Sequence, residues 1–298
     1  MFFKAESKMK AFIYGQKWSL KYDVYIKQLF NKLSSSGIEY KVFKNFNDQI
    51  QSSNVRHDTL STHEELRAYR PDVVITLGGD GTILSAMTMI RELELPIMGL
   101  NLGRLGFLAS IEQERIDEAI EMYLEGRFTI SKRSMLQIAS NPEIFGDINY
   151  ALNDFTILKR DNSSMIVLHT YIDGDFLNSY WADGLIVSTP TGSTGYSLSC
   201  GGPIMFPSSD NFILTPVAPH NLNVRPIVIS SNHELSFKIE GRSENFLCTM
   251  DSRYEVVTSE HDIKIKKNNF STHLISLEGD NFMTTLRSKL NWGIDKRN

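Results

Sequence analysis

Asp80 stands in Leu77-Gly78-Gly79-Asp80-Gly81-Thr82, a single acidic side chain set among glycines. The run before it, Val73-Val74-Ile75-Thr76, is β-branched throughout and reads as a strand buried on both faces, as in a parallel sheet. A helical pattern begins after Thr82. Glycines let the backbone turn tightly and approach a ligand, and a helix start offers free N–H groups at a positive dipole end. Gly78, Gly79, Gly81 and Thr82 are therefore candidates for holding phosphate. A carboxylate repels phosphate, so Asp80 needs another role. It could accept the proton of a hydroxyl nucleophile, help hold a divalent metal, or simply cap the helix. The chain has no Gly-x-x-x-x-Gly-Lys-Ser/Thr run, which excludes a P-loop.

Two further stretches carry polar groups in apolar settings. From Trp181 to Pro203 an apolar strand, Gly184 to Thr189, runs into a loop dense with glycine and hydroxyls around Tyr196. Such a loop can bond ribose, phosphate and amide groups, and a tyrosine face can stack on a base. Upstream, Asn153 and Asp154 sit between Leu152 and Phe155 in a run read as one strand, Tyr150 to Leu158. Buried, the pair must find partners. A ligand's vicinal hydroxyls would serve, or the pair marks a turn at a strand edge.

The elements that must position these groups change character along the chain. As far as about residue 127, strands and helices alternate. Strands are read at Ala11–Tyr14, Glu39–Phe43, Val73–Thr76 and Pro96–Leu100. Helices are read from Tyr22 to Leu33, from the Thr62/Glu65 capping box, and from Gln113 to Leu124. Asn45 to Thr59 is polar and reads as a loop. From Phe128 on, strand-like runs follow one another with little helix, and Asp173-Gly174 marks a hairpin turn. The expected fold is an N-terminal Rossmann-like α/β domain with a parallel sheet (1–127) and a C-terminal all-β domain of two sheets (128–277). A last helix capped by Asn281, within 278–298, is expected to fold back on the first domain. Residues 1–8 are expected to form a loose extension.

Composition narrows the function classes. A net charge of -4 gives no basic footprint for nucleic acid. No apolar run is long enough to span a membrane. Cys200 and Cys248 form no Cys-x-x-Cys pair, which argues against a disulfide scaffold or zinc site and suits a reducing cytoplasm.

Gly78-Gly79-Asp80-Gly81-Thr82 after a buried strand resembles the signature of the superfamily of NAD kinases, diacylglycerol kinases and phosphofructokinases. With Asn153-Asp154 and the Asp183 to Gly202 segment in the same order, and Asn101-Leu102-Gly103-Arg104-Leu105-Gly106-Phe107 in support, the whole chain resembles the NAD kinase family. The resemblance implies an α/β domain and a β domain with the site between them, in a homodimer or homotetramer. It also implies transfer of the γ-phosphoryl of ATP to the 2′-hydroxyl of the adenosine ribose of NAD, with Mg²⁺ carried by the nucleotide. Asp80 would be the catalytic carboxylate with Gly81 beside it, and Asn153 and Asp154 would hold ribose hydroxyls. Thr194, Gly195, Tyr196, Ser199 and Ala218 would line the dinucleotide pocket, with Phe107 packed over it. Asp183 would reach a base or carboxamide, of this or a neighbouring subunit. Arg104 is a candidate phosphate contact or a solvated loop residue. Four positions depart from the family pattern: Asp154 for Glu, Gly195 for Ala, Trp181 for a polar residue and Arg253 for a neutral one. Two rivals remain, a lipid kinase of the same superfamily and a dinucleotide sensor without turnover.

Overall fold

The computed structural model of the chain describes residues 8–50, 57–103, 105–160 and 164–293. It divides into two units, Met1–Ser131 with His273–Asn298, and Lys132–Thr272. No helix among the described residues is long and apolar enough to cross a membrane.

In the first unit β1 (Lys10–Gly15) is buried from Ala11 onward. α1 (Asp23–Ser35) turns Ile26, Leu29, Phe30 and Leu33 inward at helical spacing, and Gly37, at φ 69°, ends it. After β2 (Glu39–Phe43) the expectation of a plain loop from Asn45 is corrected. α2 (Lys44–Asn47) is a single turn that buries Phe46 completely in the core, because one large aromatic can fix a turn in a polar stretch. Then come β3 (Thr59–Leu60) and α3 (His63–Tyr69). In the capping box of α3, Thr62 Oγ1 accepts the Glu65 amide at 3.2 Å and the Glu65 carboxylate accepts the Thr62 amide at 3.3 Å. β4 (Val73–Leu77), α4 (Asp80–Ile90), β5 (Pro96–Asn101), β6 (Ile111–Glu112), α5 (Ile116–Leu124) and β7 (Phe128–Arg133) complete this stretch. α5 begins at Ile116, after a 3₁₀ turn over Gln113–Arg115.

The second unit contains β8 (Leu136–Asn141), β9 (Tyr150–Ala151), β10 (Asp154–Lys159), β11 (Ile166–Ile172), β12 (Asp175–Ala182) and β13 (Gly184–Ser188). After the short α6 (Tyr196–Ser199) follow β14 (Asn211–Val217), β15 (Ile227–Ser230), β16 (Leu235–Glu240), β17 (Phe246–Met250), β18 (Arg253–Val257) and β19 (Asp262–Lys267). They form two antiparallel sheets, ordered β15-β14-β13-β10-β17-β18 and β12-β11-β16-β19-β8-β9. Phe155, Leu185 and Phe212 of one sheet join Leu168, Phe237 and Ile239 of the other in one buried cluster. Asp173 and Gly174 both take positive φ at the β11–β12 hairpin, as the dipeptide predicts.

The single strand expected from Tyr150 to Leu158 is corrected. β9 and β10 belong to different sheets, and Leu152-Asn153 is the crossing between them. β14 carries Pro216 inside it. Its pairing with β15 ends at Leu214, so Pro216 lies where a missing N–H costs least.

β20 (Thr272–Leu277) pairs parallel to β5, and α7 (Phe282–Leu290) follows with Asn281 Oδ1 accepting the Thr284 amide at 2.9 Å. The first sheet is then ordered β3-β2-β1-β4-β5-β20-β7, with β6 on β5, and its β1–β6 pairings are parallel. Of the expected loose extension, residues 1–7 lie outside the described residues.

Candidate functional site

In the first unit the chain leaves β4 through Gly78, at φ 151°, where a Cβ would stand 2.1 Å from Thr82 Oγ1. Only glycine fits that turn. α4 starts at Asp80, three residues before the apolar pattern that follows Thr82, because its N-cap is Gly79, which carries no side-chain signal. A Cβ on Gly79 or Gly81 would meet nothing within 4 Å. The absent side chains leave open space over the helix start. That space belongs to a cavity of about 420 Å³ lined by Gly78, Gly79, Gly81 and Thr82, with Gln16 and Lys17 also on its wall.

Asp80 does not cap α4. Its carboxylate turns to a later loop, where Oδ1 accepts the amides of Leu108 (3.0 Å) and Ala109 (2.9 Å) and Oδ2 accepts that of Phe107 (2.8 Å). A carboxylate has about four acceptor positions, so one remains, on Oδ2. Gly106 makes the approach possible, since a Cβ there would stand 1.7 Å from Asp80 Oδ1. Asn101 steadies the same segment, its side chain donating to the Ala109 carbonyl (3.1 Å) and accepting the Gly103 amide (2.7 Å). The Phe107 ring lies 6.5 Å from that of Phe282. Arg104 lies outside the described residues.

In the second unit the Asn153-Asp154 crossing is shaped by a residue that sequence reasoning missed. The Asp251 carboxylate accepts the amides of Leu152 (3.0 Å), Asn153 (2.8 Å) and Asp154 (3.4 Å), groups that a continuous strand would give to a neighbour. Asp251 takes a left-handed φ of 52° in the β17–β18 turn, and no local spacing in the sequence ties it to Asn153. Arg253 braces the same region by donating to the carbonyls of Ile148 and Tyr150. Burial first, and then the nearby Asp251 charge, push the Asp154 carboxyl up to about 7. Burial raises Asp251 as well, but three amide donors and Arg253 favour its ionised form, so Asp154 is the partner that carries the proton.

The hydroxyl-rich loop splits into two populations. Ser188, Thr189, Ser193 and Ser197 are buried and bonded internally. Thr189, for example, donates to the Leu152 carbonyl (2.5 Å) and accepts the Gly192 amide (3.2 Å). Gly192 packs so closely that a Cβ would stand 2.1 Å from the Asn153 carbonyl oxygen. These hydroxyls brace the loop from within. Thr194 is half-buried, while Gly195, Tyr196 and Ser199 are exposed beside them. Gly195 is near Asp154, whose Oδ2 would lie 3.9 Å from a Cβ at that position. The Tyr196 phenol is raised by burial and by the charges of Cys200, Asp154 and Asp183, which places these groups in one neighbourhood. Asp183 pairs with Lys159 at 2.6 Å. Trp181, half exposed, stacks near His220 with ring centroids 4.9 Å apart, and Ala218 between them in sequence takes the left-handed φ of 44°.

A family model described as the ATP-NAD kinase N-terminal domain matches residues 17–128, and one described as the ATP-NAD kinase C-terminal domain matches residues 152–277. The chain belongs to the ATP-NAD kinase family. An NAD kinase of Cytophaga hutchinsonii is 46% identical to it over 276 residues, covering 92% of this chain and 94% of that one. Among solved structures, an NAD kinase from Archaeoglobus fulgidus in complex with ATP has a TM-score of 0.75 at 25% identity, covering 95% of this chain and 99% of that chain. Yeast NADH kinase complexed with NADH has a TM-score of 0.86 at 22% identity, covering 98% and 90%, a likeness of fold. In this member of the ATP-NAD kinase family, Gly78–Thr82 falls within the N-terminal match. Asn153, Asp154, Asp251 and the loop from Asp183 to Ser199 fall within the C-terminal one.

Proposed function

We infer that this chain is an ATP-dependent NAD kinase that phosphorylates the 2′-hydroxyl of the adenosine ribose, giving NADP and ADP. The observation that carries this reading is the Gly78–Thr82 cradle with Asp80 at the first turn of α4, inside the segment that matches the ATP-NAD kinase N-terminal domain. The ATP-bound Archaeoglobus relative supports ATP as donor.

In this reading the donor's phosphates lie on the backbone of Gly78, Gly79 and Gly81 with Thr82 beside them. The 2′-oxygen forms a bond to the γ-phosphorus, the β–γ bridging P–O bond breaks with its electron pair leaving on ADP, and the hydroxyl proton passes to Asp80 Oδ2. A carboxylate is a weak base towards an alcohol, so the proton moves late and position matters more than basicity. The amides of Phe107, Leu108 and Ala109 supply that position by fixing the carboxylate's rotamer. Asn153 and Asp154 hold ribose hydroxyls. By the family pattern, Thr194, Gly195, Tyr196, Ser199 and Ala218 contact the dinucleotide, Asp183 reaches a base or carboxamide, and Phe107 is a further dinucleotide contact.

Among the described residues no group of three or more His, Cys, Asp or Glu side chains could hold a metal ion. Both Asp80 oxygens already accept amide protons. In this reading Mg²⁺ enters with the donor as MgATP, where it neutralises phosphate charge. Cytoplasmic location suits the two free cysteines, and assembly as a homodimer or homotetramer follows the family pattern. The test is formation of NADP from NAD, ATP and Mg²⁺, repeated with NADH and with polyphosphate. Binding of NAD without any turnover would reduce the chain to a sensor.

A further inference from the structure

We propose that Lys17 is the cation that holds the donor's phosphate chain against the Gly78–Gly81 backbone. This deepens the kinase reading above and rests on it. Lys17 lines the same cavity as Gly78, Gly79, Gly81 and Thr82, and it is the one charged residue on that wall among the described residues.

Its neighbours explain why it faces there. Gln16 Nε2 donates to Ser85 Oγ of α4 at 2.6 Å, tying the loop after β1 to the helix that follows the glycines. Gln49 clamps the other side, donating to the Gln16 carbonyl at 3.0 Å and accepting the Trp18 amide at 3.3 Å. Trp18 packs against the core of the unit. The backbone on both sides of Lys17 is thus tethered, while its own side chain is exposed and makes no ion pair among the described residues. Nearby lysines are engaged. Lys27 pairs with Asp23 at 2.8 Å, and Lys21 lies 4.5 Å from the centroid of the Tyr22 ring.

The chemistry of the cavity calls for such a group. Glycine amides and the start of α4 present only partial positive charge, roughly half an elementary charge at a helix end. A triphosphate carries several full negative charges. A lysine ammonium is a compact point charge well suited to phosphate oxygens. Open space over Gly79 and Gly81 allows the phosphates to reach the backbone and the ammonium together.

The test compares wild type, Lys17→Ala and Lys17→Arg in steady-state assays with ATP and NAD varied in turn, alongside thermal melts and calorimetric binding of inorganic tripolyphosphate. In Lys17→Ala the expected result is a rise of roughly 10- to 100-fold in the KM for ATP. The KM for NAD and the melting temperature should stay unchanged, tripolyphosphate binding should be lost, and Lys17→Arg should restore most of the affinity. A merely structural lysine would move the melt and both KM values together. An active wild type whose KM for ATP is the same in Lys17→Ala overturns the proposal. A wild type that makes no NADP overturns the kinase reading instead, and tripolyphosphate binding by the two proteins then still decides whether Lys17 holds phosphate.

Discussion

Asp80 Oδ2 accepts the amide proton of Phe107 at 2.8 Å, so the carboxylate that opens α4 also fastens a loop 27 residues further along the chain. The contact gives one side chain two tasks. Asp80 fastens the segment from Asn101 to Ala109, and one acceptor position remains on Oδ2, the one the proposed reaction uses. Asp80→Asn separates these tasks only in part, because an amide NH₂ turned towards amide donors forfeits at least one of the three bonds. The expected stability loss is about 1–3 kcal/mol. Turnover should fall by roughly 10²- to 10⁴-fold, with NAD affinity nearly kept. Rates of NADP formation and equilibrium binding of NAD check this, and a rate close to wild type would remove Asp80 from the chemistry.

Gly106 and Gly81 should respond in opposite ways to the same added methyl. At Gly106 the Cβ would stand 1.7 Å from Asp80 Oδ1, an oxygen held by two amides and unable to yield cheaply. Gly106→Ala is expected to lose about 1–3 kcal/mol through overpacking and to lose activity with it. At Gly81 the methyl meets nothing within 4 Å and lies on the wall of the cavity. Gly81→Ala should melt at or slightly above the wild-type temperature, since alanine favours helix by roughly 0.5–1 kcal/mol. Its KM for ATP should nevertheless rise. Equal melts for the two variants would contradict the packing argument.

What the sequence disclosed was local. The Thr62/Glu65 box, the stop at Gly37, the Asp173-Gly174 hairpin and the Asn281 cap each involve partners within about one turn, so spacing alone reveals them. The misread places depend on distant partners. Asn153-Asp154 looked like the middle of a strand because the carboxylate that breaks the strand, Asp251, lies 98 residues beyond Asn153. The one-turn helix around Phe46 exists because the core accepts one ring. The glycine-rich loop after Ser188 was recognisable as a site by composition, but residue type could not sort its hydroxyls. Ser193 is consumed by the Pro190 carbonyl and the Met205 amide, whereas Thr194 next to it is half-buried.

That sorting yields a pair of substitutions in one loop. Gly195→Ala, which restores the residue usual in the family, places its Cβ 3.2 Å from the Gly192 carbonyl oxygen and 3.9 Å from Asp154 Oδ2, at an ordinary φ of -98°. Small adjustments relieve that contact, so kcat/KM for NAD should change less than about fivefold, a cost near 1 kcal/mol. Gly192→Ala drives its Cβ to 2.1 Å from the Asn153 carbonyl oxygen, backbone that Ser188 and Thr189 also hold. It is expected to displace the Asn153-Asp154 crossing, raise the KM for NAD far more than that for ATP, and lower the melting temperature. A Gly192→Ala enzyme with wild-type NAD kinetics would show that the crossing does not bind the coenzyme.

The buried pair of Asp154 and Asp251 makes stability depend on pH with a definite sign. Asp154 titrates at about 7 in the folded chain, against an ordinary value of 3.8. Between those values the folded protein keeps a proton that the unfolded chain has released. Stability is therefore full below about pH 4, falls as pH rises, and has lost the whole contribution above about pH 7. At 1.36 kcal/mol per pKa unit the ceiling is about 4 kcal/mol, and water reaching the site reduces it. Asp154→Asn stays neutral throughout and removes this slope. Urea unfolding at pH 5 and pH 8 measures the effect: the wild type should lose stability between the two while Asp154→Asn loses much less and overtakes it at pH 8. A stability difference between the two proteins that is the same at both pH values would mean that Asp154 is ionised throughout. The proton would then have to be assigned to Asp251, despite its three amide donors.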